Sequence, residues 1–179
     1  MNIIDQLRIG IGHDTHCFGL GSFLMIGGVR IEYSRCLLGH SDADVLLHAI
    51  SDALLGAAGL GDIGEMFADT DPANRNIDSA KILKSICEKI YAENWMIVNL
   101  DTIIFAEKPK ISPYKEQIKN RIAEITGIDS FRVNVKAKTG EKVGIIGREE
   151  AISAECAALI CKKKLLYISG IFVTALYFR

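Results

Sequence analysis

The chain has 179 residues, 49% hydrophobic and 24% charged, with 21 basic against 22 acidic side chains and a formal net charge of −1. That length suits one domain able to bury a sizeable core, and the composition excludes a disordered or collagen-like chain. Near-balanced charge leaves no overall field to recruit nucleic acid or an anionic membrane, so any phosphate chemistry must use local cations or metals.

Residues 1–7 carry charged and polar side chains and no apolar core of the kind a signal peptide needs. Five cysteines (Cys17, Cys36, Cys87, Cys156 and Cys161) lie scattered without a Cys-x-x-Cys pair. An odd number so arranged argues against a disulfide framework and for a reducing, cytoplasmic setting.

Residues 8–17 read as a strand. Successive side chains then point to opposite faces, so Asp14 and His16 project from the same side. Residues 23–32 are two short apolar runs around Gly27-Gly28, a β-hairpin signal. From Asp44 to Gly59 the residues Val45, Leu46, Ala49, Ile50, Ala53 and Leu54 recur at helical spacing, and Ser41 with Asp44 resembles a capping arrangement. His48 and Asp52 then share one helix face.

Asp14 and His16 have a metal-ligand spacing, and His48 would complete an oxygen/nitrogen/nitrogen set. Such a set suits zinc and leaves a fourth tetrahedral position for water or substrate. A lone histidine is more often a hydrogen-bonded core or surface residue. The case for a metal is crowding: all four histidines (His13, His16, His40, His48) fall within the first 48 residues, among Asp14, Asp42, Asp44 and Asp52.

Residues 59–72 are glycine-rich and then acidic, without the Gly-Lys-Ser/Thr ending of a Walker phosphate loop. Asp62, Asp69 and Asp71 there either cap and turn the chain or hold a ribose or a hydrated divalent ion. Residues 78–94 read as a helix and 96–105 as an apolar strand with Asp101 inside it. Pro109 and Pro113 then break regular structure in a loop just past a strand end, a common place for a ligand pocket, before a mostly solvent-facing helix over 114–126. Residues 131–137 alternate as a strand and lead into Lys138-Thr139-Gly140-Glu141-Lys142. Here backbone N–H groups, a hydroxyl and basic side chains suit a diphosphate, although glycine-rich turns are mostly only turns. Residues 152–161 fit either a strand or a short helix. Lys162-Lys163-Lys164 and fifteen mostly apolar residues close the chain. This stretch is short of the ~20 apolar residues that span a bilayer, so an extra strand or a loose end is favoured over a membrane-surface anchor.

Taken together, these segments resemble one family, the 2-C-methyl-D-erythritol 2,4-cyclodiphosphate synthases of non-mevalonate isoprenoid biosynthesis. The likeness lies in the Arg-Ile-Gly…Asp14-Thr15-His16 start, Ile26-Gly27-Gly28-Val29, Gly39-His40-Ser41-Asp42-Ala43-Asp44 through His48, and Ser51-Asp52-Ala53-Leu54-Leu55-Gly56. It continues in Gly61-Asp62-Ile63-Gly64, Phe67-Ala68-Asp69-Thr70-Asp71-Pro72, Pro109-Lys110, Glu141-Lys142-Val143-Gly144 and Gly147-Arg148. It runs unbroken from residue 8 to about 163, so 1–163 is expected to be the synthase domain and 164–179 an apolar extension.

The resemblance implies a single α/β (α+β) domain, a mixed β-sheet with helices packed on one face, in a homotrimer with active sites between subunits. It implies zinc on Asp14, His16 and His48, and magnesium or manganese on Glu141. His40 and Ser41 would orient the substrate's phosphates, with His40 also helping stabilise the transition state. Asp62, Ile63 and Gly64 with Phe67, Asp69, Thr70 and Asp71 would hold the methylerythritol phosphate. Ala106, Glu107, Lys108, Pro109, Lys110, Ile111 and Ser112 would form a cytosine pocket. Lys138, Thr139 and Gly140 would cradle the diphosphate from an adjacent subunit, with Thr139 as the stabilising hydroxyl. Ile145 and Arg148 would line a cavity on the trimer axis that in relatives can hold an isoprenoid diphosphate. The implied substrate is 4-diphosphocytidyl-2-C-methyl-D-erythritol 2-phosphate, converted to the cyclic diphosphate with release of CMP.

The sequence departs from the family at Lys138-Thr139-Gly140, where consecutive threonines are usual. It departs also at Ile145, where an aromatic is frequent, and at Glu149-Glu150-Ala151, where Gly-Glu-Gly is frequent. The competing readings are a metal-dependent phosphohydrolase using the same open zinc position and a non-catalytic trimeric isoprenoid-binding protein.

Overall fold

The computed structural model describes residues 6–68 and 77–163. Seven strands and five helices follow in the order β1 (Leu7–Leu20), β2 (Phe23–Ile26), β3 (Val29–Glu32), β4 (Arg35–Leu37), α1 (Val45–Ala58), α2 (Ile63–Met66), α3 (Ser79–Ala92), β5 (Trp95–Phe105), α4 (Lys115–Thr126), β6 (Val133–Lys138), α5 (Gly144–Gly147) and β7 (Ala151–Lys162). The main sheet has the order β4-β1-β7-β5-β6. Its β1–β7 and β7–β5 pairs are antiparallel and its β5–β6 pair is parallel, so the sheet is mixed as expected.

The segment open to two readings, 152–161, is a strand because β7 lies between β1 and β5 and pairs along nearly its whole length with both. The strand expected over 131–137 begins two residues late: Phe131 lies in the 3₁₀ turn Ser130–Arg132 and is 76% exposed, so it adds nothing to the core. Helix α4 is mostly solvent-facing as expected, burying only the stripe Ile118, Ile122, Ala123 and Thr126.

Helix α1 lies along β1 and β7, α3 packs beside it against β5, and α4 packs beside α3 against β6. Its close approach to β1 depends on two missing side chains. A Cβ on Gly10 would collide with the Ala53 carbonyl, and one on Gly12 with that of Ala49. Leu46, Leu47, Ile50, Leu54 and Leu55 of α1 are completely buried with Leu83, Ile86, Ile90 and Leu100. Each such side chain contributes about 1.5–3 kcal/mol relative to exposure. On the opposite face of the sheet, among the described residues, Ile9 and Ile11 are 72% and 77% exposed.

The β2–β3 hairpin turns on Gly27 and Gly28, both at positive φ (63° and 72°), as a two-residue turn of the twist-matching type requires. Asp44 fixes the turn to α1. Its carboxylate accepts Gly27 N–H at 2.8 Å and Gly28 N–H at 2.6 Å, and also caps the helix by accepting from Leu46 and Leu47. The expected pairing of Ser41 with Asp44 as a capping box is therefore replaced by Asp44 as the cap itself, while the Ser41 hydroxyl accepts from Ala43 N–H. Gly59 in the left-handed conformation (φ 74°) ends the helix. Among the described residues no helix is long and apolar enough to cross a membrane. The tail from 164 onward lies outside the described residues.

Candidate metal centre

Period-2 alternation along β1 brings Asp14 and His16 to the helix side of the sheet, and the first turns of α1 bring His48 over them. The Asp14 Oδ2 lies 2.9 Å from His48 Nδ1 and 3.0 Å from His16 Nε2. The two imidazole nitrogens are 3.2 Å apart. Their side chains retain 25%, 16% and 14% exposure, so the three donors face a partly open recess.

Ligand atoms about 2.0–2.1 Å from a tetrahedral zinc stand about 3.3–3.4 Å from one another. The observed separations are within a few tenths of an ångström of that, and the oxygen/nitrogen/nitrogen set is one zinc takes. The residues present fit the metal. Burial alone would raise the Asp14 carboxyl, but the hydrogen bonds and charges of His16 and His48 outweigh it and hold the group far below the usual carboxylate range. Burial likewise disfavours charge on His16, yet the Asp14 carboxylate overcomes it and raises the imidazole. A permanently ionised Asp14 is the form a metal needs.

Each histidine is also held from behind. His16 hydrogen-bonds the backbone of Leu38 and stands against Gly39, where a Cβ would come 3.0 Å from the ring. Gly39 and Ser41 thus lie beside the three residues, and His40 between them is exposed. Ser41 reaches the centre directly, its hydroxyl 3.0 Å from His48 Nε2. Ser79, at the start of α3, lies 2.9 Å from the same nitrogen. No pattern in the sequence singled out Ser79, because it arrives from a distant helix and reads locally only as the residue after the Asp78 cap.

One turn beyond His48, Asp52 accepts Ile63 N–H at 2.8 Å and so ties the Asp62-Ile63-Gly64 segment to the helix that carries His48. Asp62 caps α2 by accepting Glu65 N–H at 2.9 Å, which is the turn-and-cap alternative of the sequence reading. Phe67 is half-buried and packs on the core. Asp69, Thr70 and Asp71 lie outside the described residues.

The remaining expected residues form a second group. Ala106 N–H donates to Lys138 O at 2.9 Å, and Gly140 N–H donates to the Glu107 carboxylate at 3.1 Å. The Thr139 hydroxyl donates to the Glu141 carboxylate. The Lys108–Pro109 peptide is cis, Lys110 and Ser112 are exposed and Ile111 is buried. Ile145, in α5, is 47% exposed, and Arg148 pairs with Glu150 at 2.8 Å. Strand register places this group at the same end of the sheet as the ligands, since Thr15 faces Ser153, Ser153 faces Phe105 and Phe105 faces Lys138. Neighbouring strands are ~4.8 Å apart, so the β5 and β6 ends stand ~10–14 Å from β1 across the sheet.

Residues 7–161 match the YgbB family. The chain belongs to the YgbB family. Among curated members it is 53% identical to the 2-C-methyl-D-erythritol 2,4-cyclodiphosphate synthase of Listeria monocytogenes serotype 4b (strain F2365) over 157 residues, 88% of this chain and all of that one. It is 48% identical to the enzyme of the same name from Caldicellulosiruptor bescii, with the same coverage. Among solved YgbB-like structures, IspF of Plasmodium falciparum in complex with CDP superposes with a TM-score of 0.78 at 36% identity, covering 89% of this chain and 98% of that one. The bifunctional IspDF of Campylobacter jejuni gives a TM-score of 0.85 at 39% identity over 88% of this chain and 42% of that one.

Proposed function

We propose that the protein is a 2-C-methyl-D-erythritol 2,4-cyclodiphosphate synthase, a lyase of non-mevalonate isoprenoid biosynthesis working in the cytoplasm. The observation that carries the reading is the Asp14–His16–His48 cluster, in a family whose members bear that name across the whole matched length. In the reaction an oxygen of the substrate's 2-phosphate bonds to the β-phosphorus. The bond from that phosphorus to the bridging oxygen breaks, and CMP leaves with the electron pair. The nucleophile is already an anion, so side chains need do little proton transfer. They must fold a flexible substrate onto itself and offset its charge.

Asp14, His16 and His48 would hold zinc and Glu141 would hold magnesium or manganese, which would supply the offsetting positive charge as Lewis acids. His40 and Ser41 orient the phosphates, and Lys138, Thr139 and Gly140 cradle the diphosphate. The segments Asp62–Gly64 and Phe67–Asp71 hold the methylerythritol phosphate, and residues 106–112 hold cytosine through backbone groups. We assign Ile145 and Arg148 to the trimer axis. The domain is 1–163, with 164–179 an extension of no assigned role.

The end of β6, which leads into Thr139–Glu141, stands three strand spacings, ~14 Å, from the β1 strand that carries Asp14 and His16, and the sheet face opposite α1 exposes Leu7, Ile9 and Ile11. Both observations favour a homotrimer in which one subunit's metal centre faces its neighbour's diphosphate cradle; an exposed apolar patch of this kind marks an interface. The test is phosphorus NMR of the protein with the cytidyl substrate, zinc and magnesium. CMP with a cyclic diphosphate, abolished by a chelator and by His48→Ala, is expected. CMP with a linear phosphate would replace the proposal by a phosphohydrolase, and a metal-loaded trimer without turnover by a binding protein.

A further inference from the structure

Behind the metal centre runs a chain of hydrogen bonds through Ser79 and Asp42, two residues to which the reaction scheme gives no role. His48 directs Nδ1 at Asp14 and His16, and Nε2 at Ser79 Oγ, 2.9 Å away. The Ser79 hydroxyl donates in turn to Asp42 Oδ1 at 2.5 Å, and Ser79 is 1% exposed. A hydroxyl has one hydrogen. With that hydrogen committed to a carboxylate, Ser79 Oγ meets His48 only as an acceptor, so Nε2 holds a proton towards Ser79, and Nδ1, which faces the Asp14 carboxylate, is the nitrogen open to a metal once the metal displaces its proton. Ser41 adds a second, looser acceptor: its hydroxyl takes Ala43 N–H and stands 3.0 Å from Nε2 and 3.3 Å from Ser79.

We propose that Ser79, acting under Asp42, is a positioning residue that fixes the ring orientation and Nε2–H form of His48 so that Nδ1 is presented as a zinc ligand. The proposal rests on the metal reading above. It assigns Ser79 and Asp42 no contact with substrate, and their effect runs through His48 alone. The relay links the start of α3 to the second turn of α1, so the docking of those helices sets the geometry of the ligand.

The test is the zinc affinity of purified protein by competition with a chromogenic chelator. It is paired with ¹⁵N-histidine NMR of the His48 Nε2 signal in both the zinc-loaded and metal-free protein, and with thermal melts as a folding control. Removing such an outer partner usually costs 10–100-fold in metal affinity. Because Ser41 remains, Ser79→Ala is expected to lose about tenfold, with a shifted and faster-exchanging Nε2–H. Asp42→Ala should lose a similar factor, Asp42→Asn less than about threefold because its amide oxygen still accepts from Ser79, and the Ser79→Ala/Asp42→Ala pair no more than Ser79→Ala alone. A merely structural role would not produce that order. Unchanged affinity with an unchanged Nε2 signal in a folded Ser79→Ala protein overturns the relay, as do fully additive losses. If the wild-type protein binds no zinc, the metal reading fails separately. The Nε2 comparison in the metal-free protein then decides the relay, an identical signal in Ser79→Ala overturning it.

Discussion

Substituting Gly12 by alanine tests whether the metal centre depends on how closely α1 lies on β1. The added Cβ would stand 2.7 Å from the Ala53 nitrogen and closer still to the Ala49 carbonyl oxygen, whereas ordinary contact begins near 3.4 Å. The obstruction is backbone on both sides, so no side chain can swing away, and the helix must retreat by at least ~0.7 Å. Ala49 follows His48 in the chain, so the displacement falls where the ligand is carried. Metal sites tolerate about ±0.2 Å in ligand distance, so a shift several times larger should weaken zinc binding sharply. Overpacking commonly costs ~1–3 kcal/mol, and a backbone clash on a wholly buried helix belongs at or above the top of that range. With ~2–4 °C lost per kcal/mol in a chain of this size, the melting temperature should fall by ~6–12 °C or more. Differential scanning fluorimetry and chelator competition, each with and without zinc, read both effects. A Gly12→Ala protein with wild-type melting temperature and zinc affinity would refute the account of how β1 and α1 build the site.

Gly56 is the matched control on the same helix. It is exposed and a Cβ there meets nothing within 4 Å, so Gly56→Ala should raise stability by ~0.5–1 kcal/mol on helix propensity alone, and a loss in a urea melt would contradict this. Asp44→Ala should cost ~3 kcal/mol or more, because a cap is lost and the N–H groups of Gly27 and Gly28 are stranded near the core. A urea-melt loss under 1 kcal/mol would count against the clamp. Burial pushes the Cys87 and Cys156 thiols up to about 12. Both should therefore resist iodoacetamide at pH 8 in the native protein and react once it is unfolded, which peptide mass spectrometry reads. The unfolded chain sheds these two protons near pH 9 and the native chain retains them, so their contribution lowers stability as pH rises from 9 towards 12.

The sequence by itself determined the parts of this protein that depend on local periodicity and chemistry. Alternation along 8–17 put Asp14 and His16 on one face, helical spacing from Val45 placed His48 and Asp52 on another, and Gly27-Gly28 marked the hairpin. Those patterns are local because a strand repeats every two residues and a helix every 3.6. Residue identity added the donor set of a zinc site, and the order of motifs added the family. Tertiary structure decided what depends on residues distant in the chain. It chose a strand for 151–162 because that segment became the centre of the sheet, pairing with β1 and β5 on either side. It moved the cap from a Ser41–Asp44 pair to Asp44 alone because the β2–β3 turn also needed that carboxylate. It brought Ser79 and Asp42 behind His48, where no spacing rule reaches, since the contact spans 31 residues and two helices. The glycines at 10 and 12 belong to both accounts: the chain shows two missing side chains on a strand, and only the packing of α1 against them reveals that the helix carrying His48 is seated by that absence.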